Sequence, residues 1–259
     1  MSQHTDETAP PRRAGSPRPS APAPAQHGGL AQFAKRAGLL VLFGLGLLAL
    51  LLGLGSLFTG TAFGTAVGDA DRGMLQWLVE RRTPAVDATS TVLSGLASTT
   101  TVLVAGLVVA VAAALLLRHW WPFALLAIAL LGELALFLTS ATIVGRPRPD
   151  VDHLDAALPP TSSFPSGHTA AAICLYGGLA VIVLLVARGW WRWLVVALAV
   201  LVVLAVAFAR VYRGAHNPSD VLGGVLLAVP WLVATTLTVA PTAHDHRTVA
   251  LRRSAPRHR

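Results

Sequence analysis

Three short polar clusters interrupt an otherwise apolar sequence, and they contain the side chains whose types and spacing could do chemistry. They cover residues 145–149, 165–168 and 210–220. The first holds two arginines, the second the sequence Pro-Ser-Gly-His, and the third an arginine, a histidine and an aspartate. Guanidinium groups bind phosphate oxygens through forked hydrogen bonds, and imidazoles act as nucleophiles or proton carriers. Together these residue types indicate chemistry on a phosphate-like anion.

The second cluster has the pattern of a helix start. Ser166 is predicted to be the N-cap, so that the backbone N–H groups of Gly167 and His168 point outward from the helix. Such a terminus binds phosphate, and a glycine lets an oxyanion approach the backbone closely. A cap that only begins the helix is an equally good interpretation of this cluster taken alone.

The third cluster predicts a second helix start, next to a histidine. Asn217 has the type of an N-cap, Pro218 takes the favoured first helical position, and Asp220 falls at the third. A carboxylate there reaches back toward the cap, which places it beside His216. We expect it to fix the imidazole tautomer and to raise the basicity of the ring.

Metal binding by His168 and His216 is the competing use of these residues. The neighbouring arginines would repel a dication, and no further cluster of histidines or carboxylates stands at ligand spacing. The single cysteine, Cys174, excludes an intramolecular disulfide and a multi-cysteine zinc site. We therefore predict neither a metal nor another cofactor.

The elements that must position these clusters follow from the composition. The chain has 259 residues, of which 54% are hydrophobic and 12% charged, and its mean hydropathy is +0.63. Soluble domains carry roughly a quarter charged residues, so the sequence indicates a membrane protein. A hydrocarbon layer of about 30 Å needs about 20 apolar residues. Six such stretches are predicted, at residues 37–58, within 88–117, and at 120–144, 169–187, 193–209 and 221–243.

The predicted fold class is therefore all-α, a polytopic six-helix bundle over residues 37–243. The first two clusters share the loop between helices 3 and 4, and two crossings separate them from the third. All three then lie on one side, which places the site at the outer ends of helices 3 to 6. Residues 1–36, rich in Pro, Ala and Arg, are predicted to be a disordered tail, and residues 244–259 a basic tail.

Orientation follows from the basic residues. Thirteen of the twenty Lys and Arg residues fall on the side of both termini, and seven fall on the other. The positive-inside rule makes the termini cytoplasmic and places the clusters on the extracytoplasmic face of the cell membrane. The net charge of +8 is thus an orientation signal, and nucleic acid is not a predicted partner. The basic tails could also hold anionic lipids, although a role in topology alone is the preferred interpretation.

Two further features carry expectations. In the outer connection at residues 59–87, apolar positions 74, 75, 78 and 79 recur at helical spacing, which predicts a short amphipathic helix on the membrane surface or on the bundle. Glu133 falls near the middle of the third helix, where a carboxylate costs about 2.5 kcal/mol or more. We expect it to face the interior and to be protonated and hydrogen-bonded to a neighbouring helix near Gly132, rather than to act directly.

The three clusters resemble the signature motifs of the type 2 phosphatidic acid phosphatase superfamily, membrane lipid phosphatases related to vanadium haloperoxidases. The resemblance covers roughly residues 90–240 and rests on Arg148-Pro149, on residues 165–168, and on Arg210, His216 and Asp220. It implies a metal-independent phosphatase with a phosphohistidine intermediate. His216 would be the nucleophile, Asp220 its orienting carboxylate and His168 the acid. The groups that stabilise the phosphoryl charge would be Arg148, Arg210, Ser166 and the Gly167 amide.

The sequence departs from the motif pattern at two positions. Ala141 stands where the first motif usually has a lysine, and Ala209 where the third usually has a serine. We hypothesise that Arg146 replaces the missing lysine as a phosphate contact. The predicted function is hydrolysis of a lipid phosphate or diphosphate, with phosphatidate, phosphatidylglycerol phosphate and undecaprenyl diphosphate equally admissible. The alternative is a catalytically impaired relative that binds or moves anionic lipids.

Overall fold

The computed structural model describes residues 27–155, 158 and 161–241, and the regular structure in these residues is helical. The elements are α1 (His27–Gly60), α2 (Ala62–Val79), α3 (Pro84–Gly95), α4 (Thr99–Leu117), α5 (Trp121–Val144), α6 (Gly167–Ala172), a π-helical segment (Ile173–Gly177), α7 (Gly178–Val186), α8 (Trp191–Tyr212) and α9 (Pro218–Val239). The predicted all-α fold class is confirmed.

Six of the described helical segments are long and apolar enough to cross a membrane: Gln32–Gly60, Thr99–Leu117, Trp121–Val144, Gly167–Val186, Trp191–Tyr212 and Pro218–Val239. Large apolar side chains cover their outer faces, including Leu116, which is 82% exposed, and Leu237, which is 76% exposed. Surfaces of this kind are stable against lipid tails rather than water. The chain is a multi-pass membrane protein, as the sequence predicts.

The second predicted span, within residues 88–117, is confirmed as α4, and the outer part of that range forms the separate helix α3. The chain breaks after α3, and α4 begins at Thr99, where the Ser98 hydroxyl accepts the N–H of Thr101. The polar residues of α3 are bound by the outer end of α8, since Arg213 donates to the Ser90 hydroxyl at 3.1 Å. The start of that range therefore belongs to the outer rim of the bundle.

The N-terminal end of the chain differs in part from the prediction. Helix α1 begins at His27, so residues 27–36, which we assigned to a disordered tail, are helical. Residues 1–26 and the predicted tail 244–259 are not among the described residues. The predicted amphipathic positions fall in α2, which buries Leu75 against the bundle and leaves Met74 and Trp77 exposed.

The core lies where α5 packs against α9. Leu125, Leu126 and Ala129 of α5 are fully buried with Leu227 of α9. The Trp231 indole donates to the Ala129 carbonyl at 3.1 Å. This contact fixes the two helices whose outer ends carry the first and third polar clusters.

Candidate active site

A cavity of about 150 Å³ lies at the outer ends of the helices and is lined by all three polar clusters. Its polar lining includes Arg148, Gly167, His168, Arg210 and His216, with Thr161 and Ser162. The remaining lining residues are mostly apolar and come from the start of α4 and the middle of α5. Five of the predicted site residues therefore meet around one cavity, although they are distant in sequence.

A tight turn after α8 carries His216 into this cavity. Gly214 in the turn has φ +75°, a conformation that side-chain-bearing residues rarely adopt. A Cβ there would also lie 2.9 Å from Val151 Cγ2 and 3.1 Å from the Asp152 carbonyl oxygen. The turn can form only with glycine at this position, and it leaves His216 just before the start of α9.

The tautomer of His216 follows from its hydrogen bond. Nδ1 lies 2.7 Å from the Ser163 carbonyl oxygen, which can only accept, so Nδ1 carries the proton and Nε2 keeps its lone pair. Burial, followed by the positive charges of Arg210 and Arg148, lowers the pKa of His216 well below its usual range. The side chain is therefore a neutral imidazole with a nucleophilic Nε2 at the cavity.

Arg210 lines the cavity and has one nitrogen without a hydrogen-bond partner among the described residues. Its Nη1 donates to the Ser94 hydroxyl at 2.8 Å and to Asp155 at 2.9 Å. Its Nε is buried and has no hydrogen-bond partner among the described residues. A buried donor without a partner costs about 1–3 kcal/mol, so such groups call for a specific explanation. The charge of this guanidinium is therefore held next to the cavity that Arg210 lines.

Arg148 adds a second guanidinium beside the nucleophile. Its Nη1 donates to the Ala215 carbonyl at 2.8 Å, one residue before His216. Burial lowers the pKa of Arg148, and the charges of Asp220 and Asp155 oppose this effect. An arginine stays charged in such surroundings, so the cavity has two fixed positive charges.

Asp155, which sequence reasoning did not select, joins Arg210 to Arg213. Its carboxylate lies 2.9 Å from Arg210 Nη1 and 2.7 Å from Arg213 Nη2. Burial would raise the pKa of Asp155, but the hydrogen bonds and charges of the two arginines lower it overall. Arg213 also donates to Thr91 of α3 at 2.8 Å. In the sequence, Asp155 is one of several acidic loop residues, and no local pattern distinguishes it.

The position of Asp220 differs from the expectation in one respect. It forms the predicted cap, because the Asn217 N–H donates to its Oδ2 at 2.7 Å. However, Oδ2 is 3.9 Å from His216 Nδ1, which is too far for a hydrogen bond. The Ser163 carbonyl takes the orienting position instead, because the loop that carries Ser163 folds back against the start of α9. Asp220 therefore contributes charge near the imidazole and does not hold its proton directly.

Arg146 does not line this cavity, contrary to the hypothesis that it replaces the missing lysine there. Its guanidinium lies 2.9 Å from Asp71 of α2 and 2.5 Å from Asp220. It also donates to the Ser219 hydroxyl at 2.7 Å and sits over the Phe58 ring at 5.1 Å. Two buried carboxylates form ion pairs with this guanidinium, so Arg146 links the loop after α5 to α2 and α9. Asp71 was not predicted for this role.

Ser166 holds the predicted N-cap position of α6, and Gly167 lies as expected. Ser166 precedes α6, but its hydroxyl pairs with the Thr169 hydroxyl at 3.0 Å and is fully buried. Gly167 lines the cavity. Ala141, at the position of the motif lysine, is a buried residue of α5. No group of three metal-ligating side chains occurs within the described residues.

Comparison with known proteins supports the resemblance seen in the motifs. Residues 121–242 match the family model described as the PAP2 superfamily, which confirms that resemblance. A comparison with curated protein sequences found no match. The fold is similar to the crystal structure of a transmembrane PAP2 type phosphatidylglycerolphosphate phosphatase from Bacillus subtilis. That similarity has 24% identity and a TM-score of 0.61 and covers 85% of this chain and 97% of the other.

Proposed function

We propose, from the premise that residues 121–242 are a PAP2 superfamily region, that this chain is an integral-membrane phosphatase acting on a lipid phosphate or diphosphate. The observation that carries the proposal is the state of His216. A carbonyl oxygen holds its Nδ1 proton, and two guanidinium groups lie at the same cavity. This arrangement gives a neutral nucleophile beside fixed positive charge, which is what phosphoryl transfer requires.

In the first step, His216 Nε2 attacks phosphorus and forms a P–N bond. The P–O bond to the lipid breaks, and His168 donates a proton to the departing oxygen. Arg148, Arg210 and the Gly167 amide stabilise the charge on the remaining phosphoryl oxygens. Arg148 and Arg210 line the cavity and supply N–H donors for this purpose.

In the second step, water attacks the phosphohistidine. His168 takes a proton from that water, the P–N bond breaks, and inorganic phosphate leaves together with a regenerated neutral His216. For a diphosphate substrate the departing group is the lipid monophosphate. No step uses a metal ion, because the positive charge comes from the two arginines.

The location of the cavity suits a lipid substrate. It lies at the outer ends of membrane-spanning helices, where the phosphate of a lipid sits at headgroup height while its tail stays in hydrocarbon. The distribution of basic residues supports an extracytoplasmic site and cytoplasmic termini. Phosphatidate, phosphatidylglycerol phosphate and undecaprenyl diphosphate are all compatible with the polar lining.

The test is phosphate release from short-chain phosphatidate by the purified protein in the presence of a chelator. The wild type should turn over, and His216→Ala should lose about 10³-fold or more in kcat. His153→Ala, an exposed histidine in the loop between α5 and α6, is the matched control and should keep wild-type activity. Unchanged turnover in His216→Ala, or a requirement for added metal, would refute the mechanism. Binding of phosphatidate by a wild type that releases no phosphate would favour an impaired lipid-binding relative, which the apolar Ala141 also motivates.

A further inference from the structure

Glu133 is a buried carboxyl group that the proposed mechanism does not use. It is 3% exposed, lies on α5 in the membrane-spanning part of the chain, and lines the same cavity as His216 and Arg210. It forms no hydrogen bond or ion pair with any residue that the structure describes. The expected bond to a neighbouring helix is not formed, because beside Gly132 the adjoining helix contributes the Trp231 ring. An unpaired polar group at this depth is costly unless something else binds it.

The depth of Glu133 relative to the phosphate site can be read from α5. Phe137, one turn further out, contacts the start of α6, since a Cβ on Gly167 would lie 2.8 Å from its ring. Four residues correspond to about 6 Å of helix rise. Glu133 therefore lies about one helical turn inward of the residues that surround the phosphate.

The cavity continues from the polar rim past Glu133 toward the lipid. Leu103 of α4 and Leu131 of α5 line it and are 51% and 61% exposed, so its inner part opens on the lipid-facing surface between these helices. Its volume of about 150 Å³ equals that of about five water molecules at about 30 Å³ each. A phosphoryl group and the adjoining glycerol would fit, while acyl tails would remain in the hydrocarbon.

We propose that Glu133 is a specificity-determining residue that hydrogen-bonds an ester carbonyl of a diacylglycerol-type phosphate. This inference rests on the proposed function, since it places the phosphate at His216. In such a lipid the ester carbonyls lie a few bonds from phosphorus, on the side of the tails, which is where the carboxyl lies. The hydrocarbon surroundings favour the neutral acid, and its O–H donates to the carbonyl. An isoprenoid phosphate has no acceptor at this depth and leaves Glu133 unpaired.

The experiment compares a matched pair of substrates, dioctanoyl phosphatidate and its dioctyl ether analogue, which lacks only the carbonyl oxygens. The wild type should show a kcat/KM about tenfold or more higher for the ester, the effect of one buried hydrogen bond. Glu133→Leu should lower the ester value to the ether value and leave the ether value unchanged. Glu133→Gln keeps a donor and should retain the preference to within about threefold. Leu138→Ala, on the lipid-facing side of the same helix, is the control and should change neither value.

Equal activity of the wild type on the two substrates, or an equal loss on both in Glu133→Leu, would overturn the inference. If the wild type hydrolyses neither substrate, the proposed function fails for diacylglycerol-type phosphates, and the inference is then decided by binding. In the His216→Ala background, the dissociation constants of the ester and the ether, measured by competition, should differ by the same ratio and should converge on adding Glu133→Leu. Equal dissociation constants for the ester and the ether in His216→Ala would refute the role of Glu133.

Discussion

The variant Arg146→Met tests whether Arg146 stabilises the fold or binds the substrate phosphate. The guanidinium pairs with Asp71 and Asp220, whose side chains are 6% and 0% exposed, and it donates to Ser219. Without it, two carboxylates remain buried beside each other. Breaking a buried ion pair on one side costs about 3–5 kcal/mol. We expect Arg146→Met to lower the free energy of unfolding by this amount.

The partner variant has a smaller expected effect. Asp71→Asn leaves the pair between Arg146 and Asp220 intact and weakens the bonds that Asp71 accepts from the Ser219 N–H and hydroxyl. Its cost should be about 1–3 kcal/mol. In the double variant Arg146→Met/Asp71→Asn, the neutral amide at position 71 relieves part of the repulsion between the two carboxylates. The double variant should therefore lose less free energy of unfolding than the two single variants lose together, with a coupling of about 1–3 kcal/mol.

Equilibrium unfolding in mixed detergent micelles measures these differences. Arg81→Met is the matched control, because the Arg81 side chain is 52% exposed and its ion pair with Glu80 is long, at 3.4 Å. This variant should change the free energy of unfolding by no more than about 0.5 kcal/mol. The reasoning fails if Arg146→Met unfolds like the wild type. A raised KM together with unchanged stability would instead restore Arg146 as the phosphate contact that the sequence suggested.

Three further changes have expected outcomes. His216 must be unprotonated to attack and its pKa lies well below 6.5, so the acid limb of kcat/KM should lie at that lowered pKa, while loss of the proton that His168 donates sets the basic limb; a pH profile whose acid limb lies above 6.5 would contradict the assignment. Asp155→Asn should lower kcat/KM about tenfold through a misoriented Arg210 and stability by only about 1 kcal/mol, because the carboxylate is 20% exposed; steady-state kinetics that match the wild type would count against this role. Gly224→Ala places a Cβ 2.6 Å from the Ser166 carbonyl oxygen, whereas a Cβ at Gly46 meets nothing within 4 Å. Only Gly224→Ala should therefore lower the free energy of unfolding, by about 1–3 kcal/mol, which a lowered melting temperature would report.

Much of the fold could be predicted from the sequence, because the thickness of the hydrocarbon layer sets the length of each apolar stretch. The same rule gives the parity of the loops, which is enough to place Arg148, His168 and His216 on one side of the membrane. The helix start at Pro218 was also predictable, since a cap depends on residues only a few positions apart. The second span could be located only to within residues 88–117, because α3 is moderately apolar and its serines gave no sign that Arg210 and Arg213 bind them.

The partners of the charged groups could not be predicted in this way. Arg146 and Arg148 are two residues apart and chemically identical, yet one is bound by Asp71, 75 residues away, and the other lines the cavity. Likewise, the Ser163 carbonyl rather than Asp220 fixes the tautomer of His216, and Glu133 has no partner within the described residues. By itself, the sequence determined which residue types reach the outer end of the bundle, because spacing along a helix and membrane thickness are local constraints. Only the tertiary structure decided which acid neutralises which arginine and which carboxyl is left for a ligand, because those pairs depend on how distant helices pack.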